Sequence, residues 1–360
     1  MKLTIPRAEL LAVARKCQRA IGGRQSLPCL NSLLLVAKSG VLTVTGSNLD
    51  IFITSAMAAS LDEAGAILVP AQKLTNILKG LSNPEVQLES NDKYRLSIKC
   101  GVSSYTINGL DSEEYAQLPE LKEKPFTMDQ AALANLIRKT LFAASENYNP
   151  AGILFVIEKG QLEMVGSDGK RMAASTTEVK SQDCKFMLPI KSVAELKALL
   201  TEGAVSVAVG ENKIAFSVFD ESGFVTSLTA SQIQGSLPGY KNRIPSKATE
   251  TVLVPRLELI EALCRSTEVT SETHYGVTLS LTRNQLTITG NTPEVGDCRE
   301  VIALNYKGQD FSFVVPPRQL AECAKVVDSD DIEIDWVADK SPIAIRDGSS
   351  VQVIMPMLMK

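Results

Sequence analysis

The stretch Leu42–Ser47 (LTVTGS) recurs twice along the chain, as Leu162–Ser167 (LEMVGS) and Leu286–Asn291 (LTITGN). Its apolar and polar residues alternate, which predicts a strand with one buried face. The glycines of the three copies lie 120 and 124 residues apart. A stretch that returns at a nearly fixed spacing indicates an internally repeated architecture.

Two further landmarks recur in the same order and at similar spacing. One leads into an amphipathic helix: Leu3–Leu11, Phe126–Ala134 and Leu253–Ile260. The other is an apolar-proline-basic step: Leu68–Lys73, Met187–Lys191 and Val314–Arg318. A length of 360 residues is compatible with two or three domains at roughly 150 residues each. The landmarks favour three domains, 1–124, 125–248 and 249–360, with linkers at 118–125 and 242–247.

Each domain repeats one plan of secondary structure. Apolar residues spaced by three and four predict helices over 5–21, 70–81, 127–144, 191–200, 255–267 and 317–327. Period-two stretches such as Leu96–Lys99 and Ile214–Ser217 predict antiparallel strands between the helices. The fold class is therefore α+β, with two helices against sheets in each domain. On the fifth helix, the spacing predicts that Ile260, Leu263 and Cys264 face the core.

Composition excludes several classes of protein. There is no run of 18 apolar residues and no apolar signal core after Met1, so we expect a cytoplasmic protein without membrane contact. The seven cysteines are scattered and are interpreted as buried small residues, and one histidine, His274, makes a metal site or a catalytic triad improbable. No metal, cofactor or catalytic residue is predicted. The rival hypothesis of an enzyme using carboxylates at Asp111–Glu114 or Asp328–Asp331 is less favoured, because both stretches are typical of acidic loops.

The distribution of charge along the chain favours a nucleic-acid partner, although the net charge does not. The chain has a formal net charge of −4, which on its face argues against a nucleic-acid partner. The six predicted helical spans nevertheless hold 14 Lys or Arg and only 6 Asp or Glu, so the rest of the chain is strongly acidic. Basic helices repeated in every domain favour sequence-independent contact with the backbone of duplex DNA.

With these patterns in place, the chain resembles the bacterial DNA polymerase III beta subunit family, the sliding clamps, over its whole length. The resemblance rests on Gly22–Pro28 (GGRQSLP), Val69–Lys73 (VPAQK), Gly166–Ala173 (GSDGKRMA), Leu237–Tyr240 (LPGY) and Val353–Met357 (VIMPM). It implies a non-catalytic processivity factor whose head-to-tail homodimer closes six domains into a ring around duplex DNA. The alternative is a protein-binding repeat scaffold that does not encircle DNA.

The resemblance also implies three sets of site residues. DNA contacts are expected from Arg24, Lys73, Lys191, Arg318, Tyr148 and Asn149. A cleft for short apolar peptides of the clamp loader, replicative polymerase, other polymerases and repair proteins would use Pro150, Ser167, Gly169, Lys170, Arg171, Met172, Pro238, Asn242, Arg243, Val353, Met355, Pro356 and Met357. The methionines of this set suit a groove that accepts several peptides, because thioether side chains are flexible. Tyr105 and Val269 would lie at the dimer junction.

The sequence departs from the family pattern at three places. The loop 145–152 is shorter than usual, Asn242 stands where an arginine often lies beside the cleft, and Gln72 replaces a basic residue before Lys73. Peptide preference is therefore expected to differ from that of other family members.

Overall fold

The three copies of the landmark stretch form strands in the computed structural model. It describes residues 1–23, 27–117, 121, 123–219, 223–237, 239–245, 250–271, 274–337 and 341–357. The chain divides into two compact units. The first unit comprises Met1–Leu133 and Lys191–Gln232, and the second unit comprises Ala134–Ile190 and Ile233–Lys360.

The predicted helices are confirmed, each within a few residues of its predicted bounds. The described residues form α1 (Arg7–Ile21), α2 (Ala71–Gly80), α3 (Gln130–Thr140), α4 (Ile190–Leu199), α5 (Arg256–Ser266) and α6 (Pro317–Lys325). Five of these helices directly follow a proline: Pro6, Pro70, Pro189, Pro255 and Pro316. Proline suits a helix start, because the N–H that it lacks has no partner within the first turn. At α3, Asp129 takes that place and accepts the N–H of Ala132 at 2.8 Å.

Antiparallel strands account for most of the remaining chain. The strands are β1 (Lys2–Pro6), β2 (Ser32–Lys38), β3 (Val41–Ser47), β4 (Ile51–Ala58), β5 (Ser60–Glu63), β6 (Gly65–Pro70), β7 (Glu85–Ser90), β8 (Arg95–Cys100), β9 (Ser103–Asn108), β10 (Phe126–Asp129), β11 (Gly152–Glu158), β12 (Gln161–Ser167), β13 (Arg171–Glu178), β14 (Cys184–Pro189), β15 (Ala204–Val209), β16 (Lys213–Phe219), β17 (Val225–Ser231), β18 (Glu250–Pro255), β19 (Val277–Thr282), β20 (Gln285–Thr292), β21 (Gly296–Ala303), β22 (Phe311–Val315), β23 (Asp331–Trp336), β24 (Ile343–Asp347) and β25 (Ser350–Ile354). The α+β fold class predicted from the sequence is confirmed.

The first unit contains a sheet that joins two consecutive repeats. Its strand order is β10-β15-β16-β17-β4-β3-β2-β6, and the repeats meet where β17 pairs with β4. A second sheet of this unit has the order β5-β1-β7-β8-β9 and leaves β9 at its edge.

The second unit is built in the same way. Its eight-stranded sheet has the order β14-β11-β12-β13-β25-β24-β23-β18, and the repeats meet where β13 pairs with β25. Its other sheet, β21-β20-β19-β22, leaves β21 at an edge. Because each large sheet pairs strands of two repeats, the compact units do not follow the repeats, and the predicted domain boundaries stay a prediction.

The landmark glycines Gly46 and Gly166 allow a helix to lie directly on a strand. A Cβ atom at Gly46 would lie 2.0 Å from the carbonyl oxygen of Cys17, and one at Gly166 would lie 2.3 Å from that of Thr140. Both distances are far below van der Waals contact, so no side chain fits at either position. Glycine therefore recurs at these two positions because the same contact between a strand and a helix end recurs there.

Two predictions about cysteines are wrong in part. Cys17, Cys100 and Cys323 are buried as expected, but Cys264 is exposed, and the others are half-buried. On α5 the buried residues are Leu259, Ala262, Leu263 and Ser266. This set follows the helical period from Leu259, which leaves the position after Leu263 on the opposite side.

Candidate functional site

The centre of the candidate site is the cleft turn, residues 167–172, which connects β12 to β13. Asp168 Oδ1 accepts the backbone N–H groups of Lys170 and Arg171 at 2.9 and 2.8 Å. Gly169 has a φ of +85°, in the left-handed region that glycine adopts without strain. Asp168 and Gly169 therefore lie in a hairpin turn, and its hydrogen bonds fix where the next side chains start.

A shallow indentation lies beside the cleft turn. Its lining residues are Tyr148, Ser167, Met172, Leu237, Tyr240 and Arg243. The ring of Tyr148 closes over Gly169, where a Cβ atom would lie 2.7 Å from Tyr148 Cε2. The indentation is shallow, so a bound peptide would lie against its rim and the neighbouring surface.

The C-terminal segment Met355–Met357 is held beside the cleft turn. The N–H of Met355 donates to the carbonyl oxygen of Lys170 at 2.9 Å, and that of Met357 donates to Val314 at 2.7 Å. The side chain of Met355 is 44% exposed, and Pro356 and Met357 are half-buried. Met355–Met357 thus form an apolar wall beside the cleft turn.

Two predicted cleft residues lie beneath the surface. Met172 and Val353 are partners in the β13–β25 pairing, and each is 3% exposed. Both belong to a buried apolar cluster with Leu154, Val156, Val165, Ala174, Met187, Leu237 and Tyr240. They therefore form the floor of the cleft and offer little surface to a ligand.

The remaining predicted cleft residues lie at its sides. Pro150 packs against Gly235, where a Cβ atom would lie 2.7 Å from Pro150 Cβ. Asn242 and Arg243 are exposed on the 3-10 turn Tyr240–Arg243. Lys170 is exposed, with its Nζ 5.4 Å from the centre of a tyrosine ring, Tyr275. Pro238 lies outside the described residues.

Sequence reasoning missed Leu237, Tyr240 and Tyr275 as parts of this site. The hydroxyl of Tyr240 donates to Glu163 Oε2 at 2.6 Å, and burial together with this carboxylate raises the pKa of Tyr240 above its usual range. The LPGY stretch carried a signal for the first two residues. Tyr275 follows the single histidine, and no pattern in the sequence distinguishes it.

Arg171 connects the cleft turn to α6 and to the 3-10 turn Leu141–Ala143 that follows α3. Its Nε donates to Asp168 Oδ2 at 3.0 Å, its Nη1 donates to Glu322 Oε2 on α6 at 2.5 Å, and its Nη2 donates to the carbonyl oxygen of Phe142 at 2.8 Å. The Arg171 side chain is only 11% exposed. All three of its nitrogens thus have partners, which fixes the guanidinium in one orientation.

A second ion cluster of the same unit surrounds Lys139. Its Nζ lies 2.6 Å from Asp347 Oδ2 and 2.9 Å from Asp328 Oδ2, and Arg138 Nη2 lies 2.7 Å from Asp328 Oδ1. The hydrogen bond from Lys139 is the main reason that the pKa of Asp328 falls below its usual range. Asp328 is an exposed loop residue, as predicted, and it is also paired with two basic side chains.

The other acidic stretch is a turn, as predicted. Residues Ser112–Glu114 form a 3-10 turn, and Asp111 caps it by accepting the N–H of Glu113 at 3.0 Å. Among the residues described by the structure, no cluster of three or more His, Cys, Asp or Glu is placed to hold a metal ion. The described part of the chain also has no helix long and apolar enough to cross a membrane.

Several helical basic residues serve the fold. Arg7 opens α1 and donates to the carbonyl oxygen of Leu78 at 3.0 Å, and Arg256 opens α5 and donates to that of Ser329 at 2.8 Å. Gln130 does the same at the start of α3, where its side chain donates to Glu202 at 2.9 Å. The first residue of these three helices thus has one structural task.

Other basic residues of the helices have side chains exposed to solvent, and among them Arg318 Nε lies 3.6 Å from Glu322 Oε1. The exposed ones are Arg15, Lys16, Lys73, Lys79, Lys191, Lys197, Arg318 and Lys325. Of the predicted DNA contacts, Lys73, Lys191 and Arg318 belong to this group, and the Arg318 side chain is 85% exposed. Asn149 is exposed, Tyr148 lies in the cleft, and Arg24 lies outside the described residues. Their contacts with DNA stay a prediction.

The two predicted junction residues have different surroundings. Tyr105 is 45% exposed on the edge strand β9. Val269 is half-buried in the 3-10 turn Thr267–Val269, and its side chain packs near Gly290. Their place in a dimer stays a prediction.

Solved structures of sliding clamps share this fold. The DNA polymerase sliding clamp from Bacillus subtilis matches with a TM-score of 0.94 at 24% identity over 100% of both chains. The DNA polymerase III subunit beta from Pseudomonas aeruginosa matches with a TM-score of 0.92 at 26% identity, over 99% of this chain and 100% of that one. The fold and the cleft thus define the class of DNA sliding clamps.

Sequence comparisons give the family. The family models for the N-terminal, central and C-terminal domains of the DNA polymerase III beta subunit match residues 1–119, 127–238 and 241–358, respectively. The chain belongs to the DNA polymerase III beta subunit family. The beta sliding clamps of Proteus mirabilis and Escherichia coli K12 are each 29% identical to it, over 99% of this chain and 100% of theirs.

Proposed function

We propose that two copies of this DNA sliding clamp close head to tail into a ring around duplex DNA and hold partner proteins through the cleft. A role as a processivity factor in DNA replication follows from the family. The proposal adds three points: the ring, the encirclement of DNA without sequence preference and the capture of short apolar peptides. It assigns no catalytic chemistry to the chain.

The free edges of the sheets carry the proposal of a ring. The two large sheets join consecutive repeats by pairing β17 with β4 and β13 with β25. Strands β9 and β21 are left at sheet edges. Strand β9 (SSYTIN) contains no charge and no proline, the residues that usually protect an edge from pairing. Pairing β9 of one copy with β21 of another would continue the same construction and close a ring.

The exposed helical lysines support contact with DNA. Phosphate neutralisation by Lys73 and Lys191 needs no base contact, and a ring that encircles DNA needs little affinity to stay on it. Replacement of either lysine by glutamine should lower the slope of log K against log salt by about one unit. The matched control is Lys99→Gln, which removes an exposed lysine from β8 of the same unit and should leave the slope unchanged.

The decisive experiment compares circular and linear DNA after loading. The protein is placed on nicked circular DNA by a clamp loader and ATP, and the circle is then cut once. A ring should remain on the circle and leave the linear product through its ends. Retention on linear DNA would refute encirclement, and failure to remain on either form would favour the scaffold that binds only proteins.

A further inference from the structure

The carboxylate of Glu322 lies outside the indentation, yet it contacts the residue that precedes the cleft floor. Glu322 is on α6, and its Oε2 accepts Nη1 of Arg171 at 2.5 Å. Arg171 directly precedes Met172, which is 3% exposed at the floor of the cleft. Helix α6 is therefore joined by hydrogen bonds to the part of the turn from which the floor begins.

A second contact joins the start of α6 to the opposite wall. Strand β22 ends two residues before α6, and its Val314 accepts the N–H of Met357 at 2.7 Å. One helix is thus tied to the cleft turn through Glu322 and to the C-terminal segment through β22. A fixed relation between these two walls is what a peptide groove needs, because loose walls must be ordered when the ligand binds.

The first unit contains a matched carboxylate that lacks this connection. Glu195 stands six residues after Pro189, as Glu322 stands six residues after Pro316. Glu195 Oε2 accepts Nε of Arg19 on α1 at 2.6 Å, so its contact is between two helices. The position that corresponds to Arg171 there is Ile51, which is 2% exposed and carries no charge.

We infer that Glu322 is a positioning residue of the peptide cleft: from α6 it holds Arg171, and through Arg171 it fixes the cleft turn for peptide capture. The inference rests on the proposed function of the cleft. Glu322 accepts a charge-assisted hydrogen bond, and such bonds are stronger than neutral ones. Because the Glu322 side chain is 33% exposed, we expect its loss to weaken peptide binding by only about fivefold to tenfold.

The test measures the full-length protein and the variants Glu322→Gln and Glu195→Gln. The probe is a fluorescein-labelled apolar peptide from a replicative polymerase catalytic subunit, and the readout is its dissociation constant and release rate. Glu322→Gln should weaken binding by about fivefold to tenfold through faster release, and Glu195→Gln should leave it unchanged. A change of less than twofold for Glu322→Gln, or equal changes for both variants, would overturn the inference.

Amide hydrogen exchange of residues 167–173 supplies a readout that needs no peptide. The N–H groups of Lys170 and Arg171, which Asp168 accepts, should exchange faster in Glu322→Gln and at the wild-type rate in Glu195→Gln. Wild-type protein that binds no peptide would refute the proposed cleft, and the exchange rates would still decide whether Glu322 holds the turn. Unchanged exchange in Glu322→Gln would overturn the inference by itself.

Discussion

The turn at residues 47–52 of the first unit and the cleft turn of the second have the same backbone but different surfaces. In the first, Asn48 Oδ1 accepts the N–H groups of Asp50 and Ile51, as Asp168 Oδ1 does for Lys170 and Arg171. In both, the third residue of the turn has a positive φ, +79° at Leu49 and +85° at Gly169. The repeats thus share a scaffold.

A lysine side chain lies across the end of the first turn. Lys213 Nζ lies 4.9 Å from the ring centre of Phe52 and 3.3 Å from Ser231 Oγ. Strand pairing places Ser231 where the second unit has Met355, and Lys213 where it has Pro342. Proline has no long side chain to reach across the turn, so the counterpart of Phe52, Met172, stays beside an indentation.

This comparison shows which residues make a cleft from a common turn. Gly169 leaves room for the ring of Tyr148, and Arg171 connects the turn to α6. Met355 lies where the first unit has Ser231. The main chain, the landmark glycine and the strand pairing are the same in both units. Peptide capture is therefore expected in the second unit alone, from side chains on a shared framework.

Alanine in place of the landmark glycines tests the contact between strand and helix that the two units share. Gly46→Ala and Gly166→Ala should each destabilise their unit by about 3 kcal/mol, because a methyl group would overlap a backbone carbonyl oxygen that cannot move aside. Urea unfolding can follow the second unit by fluorescence of Trp336, which is 3% exposed there, and amide exchange can follow the first. Gly290→Ala is the control, because its nearest neighbours are side-chain atoms at 3.1 Å and beyond. Equal losses at all three glycines would contradict the shared contact.

The next effect tests the difference between the two surfaces. Met355→Ser introduces the residue of the first unit and should weaken binding of the labelled apolar peptide about tenfold, since an exposed apolar wall is lost. Met172→Glu is a poorer test, because it places a charge in the buried cluster and endangers the fold. Ser231→Met, the converse change in the first unit, should leave peptide affinity at the wild-type value. Fluorescence anisotropy measures both, and unaltered binding by Met355→Ser would remove the C-terminal segment from the site.

Much of this comparison could be predicted from the sequence. Repetition located the helices and the strands, because their periodic patterns reflect local burial. The ion partners could not be found that way: Arg171 and Glu322 are 151 residues apart, and only strand pairing and helix packing bring them together. The charge count along the sequence included Arg7 and Arg256 among the residues that could contact DNA. In the structure, each donates to a backbone carbonyl oxygen of its own repeat. Charge in a sequence shows neither its partner nor its exposure.

A smaller effect concerns acid stability in the second unit. Lys139 and Arg138 lower the pKa of Asp328, so its ionised form stabilises the fold above the usual carboxyl range near pH 3.9, and this stabilisation is lost as pH falls through the lowered pKa. Asp328→Asn should cost only about 1 kcal/mol at pH 7, because the Asp328 side chain is 58% exposed, and this cost should disappear once the pH falls below the lowered pKa. Trp336 fluorescence during urea unfolding at several pH values measures the difference. The exposed neighbour Asp330→Asn is the control, and a gap that persists at low pH would contradict the assignment.

Exchanging leucine and glycine at the third residue of each turn should change stability the least. Leu49 holds a positive φ that costs a residue with a Cβ atom about 1–2 kcal/mol, and glycine would relieve that cost while losing about 0.5–1 kcal/mol more conformational entropy on folding. Because Leu49 is 47% exposed, little burial is lost, and Leu49→Gly should stabilise the first unit by about 0.5 kcal/mol in amide exchange. The converse change, Gly169→Leu, should both strain the cleft turn and displace the ring of Tyr148, so it should weaken peptide binding as well as stability. If Leu49→Gly destabilises the first unit instead, the leucine has packing contacts that compensate for its strain, and the two turns are less alike than their backbones.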